Sequence, residues 1–233
     1  MFCIKIANIP IGINNRYEFI RHLCCGYETE REKPLFTVSA DEEEILQERK
    51  EDSNFSMGYC ESLCIYRKIC YELVRYDAFL MHSAVVAVDG WAYVFAAPSG
   101  VGKTTHIKMW LEQFEGRAET VNGDKPIFRF LGDTLYACGT PWCGKECLGK
   151  NVMYPVGGIC FLEQSPQNHI RSLTAGEVSR HIFSQILLPK EEHLFDQFWN
   201  LLERMMKAVD FYLLQCNREP EAAQLAYQTM RRD

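Results

Sequence analysis

The sequence lacks any apolar stretch approaching the roughly 18 residues of a membrane-spanning helix, so no such span is expected. It also lacks a basic excess. Lys and Arg number 25 against 31 Asp and Glu, a net charge of −6, with no basic stripe to offset it. That balance excludes a general nucleic-acid binder. The Met1 end lacks the basic start and long apolar run of a signal peptide. Internal repeats and low-complexity tracts are missing too. What remains is an ordinary globular composition, 47% hydrophobic over 233 residues, enough to bury a substantial core without staples. The expected compartment is the cytoplasm, and self-association is left open.

Cysteine, by contrast, is plentiful: eleven residues, an odd number. In a reducing compartment these are thiols, many of them used as small hydrophobes. Cys60, Cys64 and Cys70 read as one apolar helix face. Cys138, Cys143 and Cys147 lie closer together, around Gly139-Thr140-Pro141-Trp142. Their Cys-x4-Cys and Cys-x3-Cys spacings lack the paired knuckles and fourth ligand of a structural zinc site, and they too are read as reduced thiols.

The pattern along the chain is mixed α/β. Residues 2–11 are apolar, with a Gly/Asn turn expected at 12–15, and the charge run 41–52 reads as a solvated helix or loop face. A small strand-rich region is expected over 1–58 and the main domain over 59–233. Tyr59, Leu63, Tyr66, Cys70 and Leu73 recur at gaps of three and four, which predicts an amphipathic helix. The β-rich runs 84–88 and 91–95 flank Asp89-Gly90, a dipeptide that supplies the positive φ angles of a tight hairpin. Further strands are expected at 126–130 and 135–137 around Gly132-Asp133, and at 157–162 and 211–216. Helices are expected over 174–188, 191–209 and 220–232. Antiparallel hairpins set this pattern apart from regular β-α-β alternation.

Directly after the hairpin comes Ala97-Pro98-Ser99-Gly100-Val101-Gly102-Lys103-Thr104-Thr105. It matches the phosphate-loop pattern Gly-x4-Gly-Lys-Ser/Thr except that Ala97 replaces the first glycine, a position that tolerates alanine if φ stays negative. Such a loop must turn its backbone N–H groups inward around a phosphate, which Gly100 and Gly102 permit, while the following helix presents its positive end. Lys103 is placed to reach the β/γ-phosphates and Thr104 to ligate Mg²⁺. Ser99, Gly100, Val101, Gly102, Lys103, Thr104 and Thr105 are the candidate nucleotide-binding set. Asp124, 21 residues past Lys103, is the candidate carboxylate near the metal. Asp133 competes with it but fits a turn better. His82 stands just before the hairpin, where an ordinary hydrogen-bonded histidine is the simpler reading.

Taken together, Met81-His82-Ser83-Ala84, the Val-rich hairpin, Ser99 to Thr104 and Asn122-Gly123-Asp124 resemble the HPr kinase/phosphorylase and PEP-carboxykinase-like superfamily. The resemblance runs over residues 81–130 and is closest to its short HPr-kinase-related members. It implies an α/β P-loop fold with a mixed sheet and a β-hairpin leading into the loop. It implies that His82 matches an active-site histidine, that Lys103 and Thr104 match the phosphate and Mg²⁺ residues, and that Asp124 matches one of two aspartates. Gly123 stands where the family has the other.

The function expected from loop and resemblance is an ATP- and Mg²⁺-dependent kinase. It would move a γ-phosphoryl group to a hydroxyl, of serine in a small protein, a peptide or the free amino acid, with Asp124 or His82 as base. A non-catalytic nucleotide-binding module is the alternative suggested by Gly123 and Ala97. A carboxykinase-like lyase is disfavoured by length. The segment 139–149 reads either as a loop closing over phosphate or acceptor, or as an exposed turn steadied by Trp142.

Overall fold

The apolar opening does not run on to Ile11 as one segment. In the computed structural model, which describes residues 1–232, Ala7 and Asn8 take left-handed φ angles of 51° and 59°. They fold the stretch into an antiparallel hairpin of β1 (Phe2–Ile6) and β2 (Ile9–Ile13). The turn expected at 12–15 is therefore displaced, because Gly12 and Ile13 are needed in β2, whose five residues are all buried. After α1 (Phe19–Leu23), β3 (Phe36–Val38) adds to β2 in parallel. The charge run forms α2 (Glu42–Glu51), opened by a capping box in which Asp41 and Glu44 satisfy each other's backbone N–H. The predicted amphipathic helix is α3 (Met57–Leu73). Ile4, Ile11, Ile65 and Ile69 from these elements meet in one core with Trp142, which arrives from a later loop.

The second sheet contains β4 (Ala78–Leu80), β5 (Ala84–Val88) and β6 (Trp91–Ala96), followed by α4 (Lys103–Gln113) and β7 (Ala118–Asn122). Next come β8 (Ile127–Leu131), β9 (Thr134–Cys138), β10 (Met153–Gln164) and β11 (His169–Ser172). The chain ends with α5 (Ala175–Ile182), α6 (Phe195–Ala208), β12 (Phe211–Cys216) and α7 (Glu221–Met230). The strand order is β4-β8-β9-β10-β6-β5-β7, with β12 on β10 and β11 on β12, and pairing is mixed. The hairpin turn at Asp89-Gly90 has φ angles of 52° and 85°, as its sequence requires.

β10 is twelve residues long, twice the expected strand, because it serves three neighbours in succession. Met153–Pro155 pair with β9, Val156–Phe161 with β6 and Ile159–Gln164 with β12. Pro155 and Gly157 lie beside the register shift where the strand passes from one set of partners to the next. The helix expected over 174–188 stops at Ile182. The segment beyond it covers the edge of β4, through a Met81–Ile186 bridge and a Leu187 N–H bond to Leu80 O, and so cannot stay helical.

α4 and α7 pack on one face of the sheet around Trp110 and Ala226. α5 and α6 pack on the other around Val178, Phe198 and Leu201. β6, β10 and β12 run parallel, so Ala96, Gln164 and Cys216 end together at one margin. Clefts at the carboxyl ends of parallel strands are where such sheets take ligands. Among the described residues no helix is long and apolar enough to cross a membrane.

Candidate phosphate-binding site

The loop at that margin joins β6 to α4 and leaves the helix end bare. Gly102, at φ 119°, occupies the position before the helix, and no side chain caps it. The first bond of the helix runs from His106 N–H to Gly102 O, at 2.9 Å. The amides of the first turn are thus left for solvent or a ligand, at the positive end of the helix dipole. Gly100 has φ 84°, and open space surrounds the position a Cβ would take on either glycine. Lys103 is buried, at 8% exposure, and its Nζ donates to Ala97 O at 2.7 Å, closing the loop across its base. Burial pulls the Lys103 ammonium below its usual range, with Asp124 opposing that and Lys125 adding to it. Gln164 Nε2 braces the loop from β10 through Val101 O, at 3.0 Å. The Thr104 side chain is half-buried and makes no hydrogen bond among the described residues; Ser99 and Thr105 are exposed.

The second component is a histidine–carboxylate pair. His82 Nε2 lies 2.6 Å from Asp124 Oδ1, and Lys125 Nζ lies 2.6 Å from Asp124 Oδ2. Burial works to raise the Asp124 carboxyl, but the bonds from His82 and Lys125 and the Lys125 charge outweigh it and hold it at about 2. Asp124 is therefore ionised near neutrality and can only accept, so His82 Nε2 carries the proton between them. Ser83 N–H also donates to Asp124 O, at 3.1 Å.

Two residues to which sequence reasoning gave no role of their own hold these parts in place. Asn122 is fully buried at the end of β7. Its Oδ1 accepts the N–H of Asp124 at 2.9 Å and of Lys125 at 2.8 Å, an Asx turn that presents the carboxylate. Gln185 lies in the segment after α5. Its amide, turned so that the nitrogen faces both carbonyls, donates to His82 O and Ala97 O at 3.1 Å each, while its oxygen accepts from Ser184 Oγ at 2.9 Å. One side chain thereby ties the histidine turn to the start of the glycine loop. Asn122-Gly carried a readable turn signal; Gln185, far along the chain, carried none.

In the 139–149 segment, residues 144–147 form an exposed turn, while Gly139 to Trp142 are buried. Trp142 is 5% exposed and stacks on Tyr66 at 4.1 Å. Tyr66 Oη and Thr140 Oγ1 both donate to Lys125 O, at 2.6 and 2.8 Å, which fastens the loop beside Asp124. A Cβ on Gly123 would come within 2.9 Å of Cys143 O and 3.2 Å of Leu148 Cβ, so the loop occupies the space a second aspartate would need. Asp133 sits in the exposed β8–β9 turn and bonds to none of the loop residues among those described. Cys138 is buried and its thiol is pushed up to about 12 by that burial, Cys143 is half-buried and Cys147 exposed. No group of three metal-ligating side chains exists among the described residues.

A groove of 660 Å³ runs over the loop between Pro98–Val101, Leu162–Gln164 and His181. A larger cavity of 1040 Å³ lies between α2, α3 and β3, but it touches none of these residues. Its Lys68 and Arg67 are paired with Glu44 and Glu48.

No family model matches the chain, and no curated protein does. Among solved structures it is similar to the HPr(Ser) kinase/phosphatase from Coxiella burnetii. That likeness spans 54% of this chain and 95% of the other, at 13% identity and a TM-score of 0.30. At that level the likeness carries no argument, and the functional reading rests on the site's own geometry.

Proposed function

We propose that the chain binds ATP with Mg²⁺ and moves the γ-phosphoryl group to a hydroxyl, as an HPr-kinase-like phosphotransferase. The observation that carries this reading is a convergence: an uncapped helix end wrapped by a glycine loop, joined through Gln185 to the His82–Asp124 pair. The backbone of Ser99–Thr105 would cradle the phosphates, and Lys103 would exchange its bond to Ala97 O for the β/γ-phosphate oxygens. The residues fit Mg²⁺, which beside phosphates asks for little more than one hydroxyl, one carboxylate and water. Thr104 offers an unengaged hydroxyl, and Asp124 offers Oδ2 once Lys125 releases it. Mg²⁺, when bound, neutralises charge on the β- and γ-oxygens. In its neutral form, His82 would take the proton of the acceptor hydroxyl at Nδ1, and Asp124 would steady the imidazolium. The acceptor class remains a serine hydroxyl of a small protein, a peptide or the free amino acid.

Gly123 favours a second reading. With the 143–148 turn packed on it, one carboxylate must serve both histidine and metal, as suits a module that binds nucleotide without transfer. Incubation with γ-labelled ATP, Mg²⁺ and a panel of serine-containing acceptors separates the two. The kinase labels an acceptor, and His82→Ala keeps ATP affinity while losing about 10²–10⁴-fold in turnover. Tight ATP binding with no transfer to any acceptor would leave the binding module. Normal turnover by His82→Ala would remove His82 from the mechanism.

A further inference from the structure

His106, one turn into α4, has an unmet hydrogen bond that the phosphate site does not use. The ring is 1% exposed, and its Nε2 lies 3.0 Å from Trp110 Nε1. An indole N–H can only donate, so Nε2 is the acceptor and the ring proton sits on Nδ1. That Nδ1–H has no partner among the described residues. A buried donor is rarely left unpaired, so something from outside the chain is expected to meet it.

The surroundings suggest what. His106 lines a cavity of 30 Å³ with Gly102, Thr105, Met109 and the turn 216–218 after β12. That is about one water's share of volume. The cavity adjoins the groove over the loop, and Val101 and Gln164 line both. Arg218 on its rim is exposed and makes no ion pair among the described residues. Asn217 is already committed to the turn, accepting from Glu219 N–H at 3.0 Å and donating to Pro166 O at 3.4 Å.

Strand order sets what flanks the loop. β6 stands between β5, whose other neighbour β7 leads into Asp124, and β10, whose neighbour β12 leads into Arg218. The loop after β6 therefore has the carboxylate and Lys103 on one flank and the 216–218 turn on the other. A phosphate chain whose γ end meets Lys103 and the metal leaves toward Thr105 and that turn. We infer that the nucleoside half of the nucleotide lies against the 216–218 turn. The Arg218 guanidinium covers the base, and His106 Nδ1–H donates to a water in the small cavity that bridges to the sugar. This rests on the phosphate-binding reading of residues 97–104.

Calorimetry with Mg–ATP and Mg–tripolyphosphate, on wild type and Arg218→Ala, tests it. The wild type is expected to bind ATP more tightly than tripolyphosphate. Arg218→Ala is expected to lose about tenfold on ATP and nothing on tripolyphosphate. In the wild type, the His106 Nδ1–H resonance should move with ATP and stay put with tripolyphosphate. Equal affinity for both ligands, or an Arg218→Ala loss shared by both, overturns the nucleoside site while the phosphate site stands. If neither ligand binds the wild type, the phosphate reading fails and takes this inference with it.

Discussion

Two glycine-bearing loops meet at the candidate site, and they use glycine for opposite reasons. In the 97–102 loop, Gly100 and Gly102 have positive φ angles and empty space where a Cβ would stand. Glycine there supplies a backbone shape, and the space is left for something that is not protein. In the 139–149 loop, a Cβ on Gly139 would lie 1.8 Å from Lys150 O, and one on Gly149 would lie 2.7 Å from Cys143 Cβ. Glycine there supplies nearness, and the space is already full. The first loop is shaped to receive; the second is packed to brace Asp124 and to close off Gly123. Glycine content alone does not mark a ligand loop.

The comparison predicts its sharpest contrast at Gly139 and Gly100. Gly139→Ala sets a methyl against backbone that cannot yield, and is expected to prevent folding or to cost more than about 4 kcal/mol in a denaturant titration. Gly100→Ala is expected to cost only the left-handed φ, about 1–2 kcal/mol, while weakening Mg–ATP binding. Similar stability losses at the two positions would erase the distinction.

The open loop also depends on what lies beneath it. Burial keeps His106 neutral down to about 3, well below its ordinary 6.5. The unfolded chain binds that proton as pH falls through 6.5, whereas the folded chain refuses it until about 3. Stability is therefore expected to fall across that window, by up to about 4 kcal/mol, and to be fully present above it. A His106→Leu variant should show a flatter profile between pH 6.5 and 3 in equilibrium melts. An unchanged slope would mean His106 is not the group responsible.

A smaller effect is expected at Gly123. Gly123→Ala must push back Cys143 O and Leu148, with an expected cost of about 1–3 kcal/mol. The same variant should loosen the 139–149 loop, seen as faster hydrogen exchange there. A stabilised variant would show that the loop is less closely packed on Gly123 than described.

Much of this was legible in the sequence because local chemistry decided it. The Asp89-Gly90 hairpin, the glycine loop and the start of α4 follow from φ requirements that few residues meet. The charge run after Asp41 became α2 through a capping box written in four consecutive positions. What escaped was set by distant partners. β10 reads as six residues until its three neighbours are known, and the helix after Thr174 reads too long until β4 claims residues 186 and 187. That Trp142 steadies its turn is legible, but not what it packs on, because Tyr66, its stacking partner, is 76 positions away. Gln185 could not be found at all, since nothing near it in sequence says that two carbonyls await its amide.

The central claim is that residues 97–104 hold the phosphates of a nucleotide, and thermal unfolding of wild type and Lys103→Ala with Mg–ATP tests it most directly. The account predicts stabilisation of the wild type by about 2.7 kcal/mol at a hundredfold excess over Kd. It predicts that Lys103→Ala, melting like the wild type without ligand, gains almost none of that stabilisation. An equal gain in both proteins would contradict it.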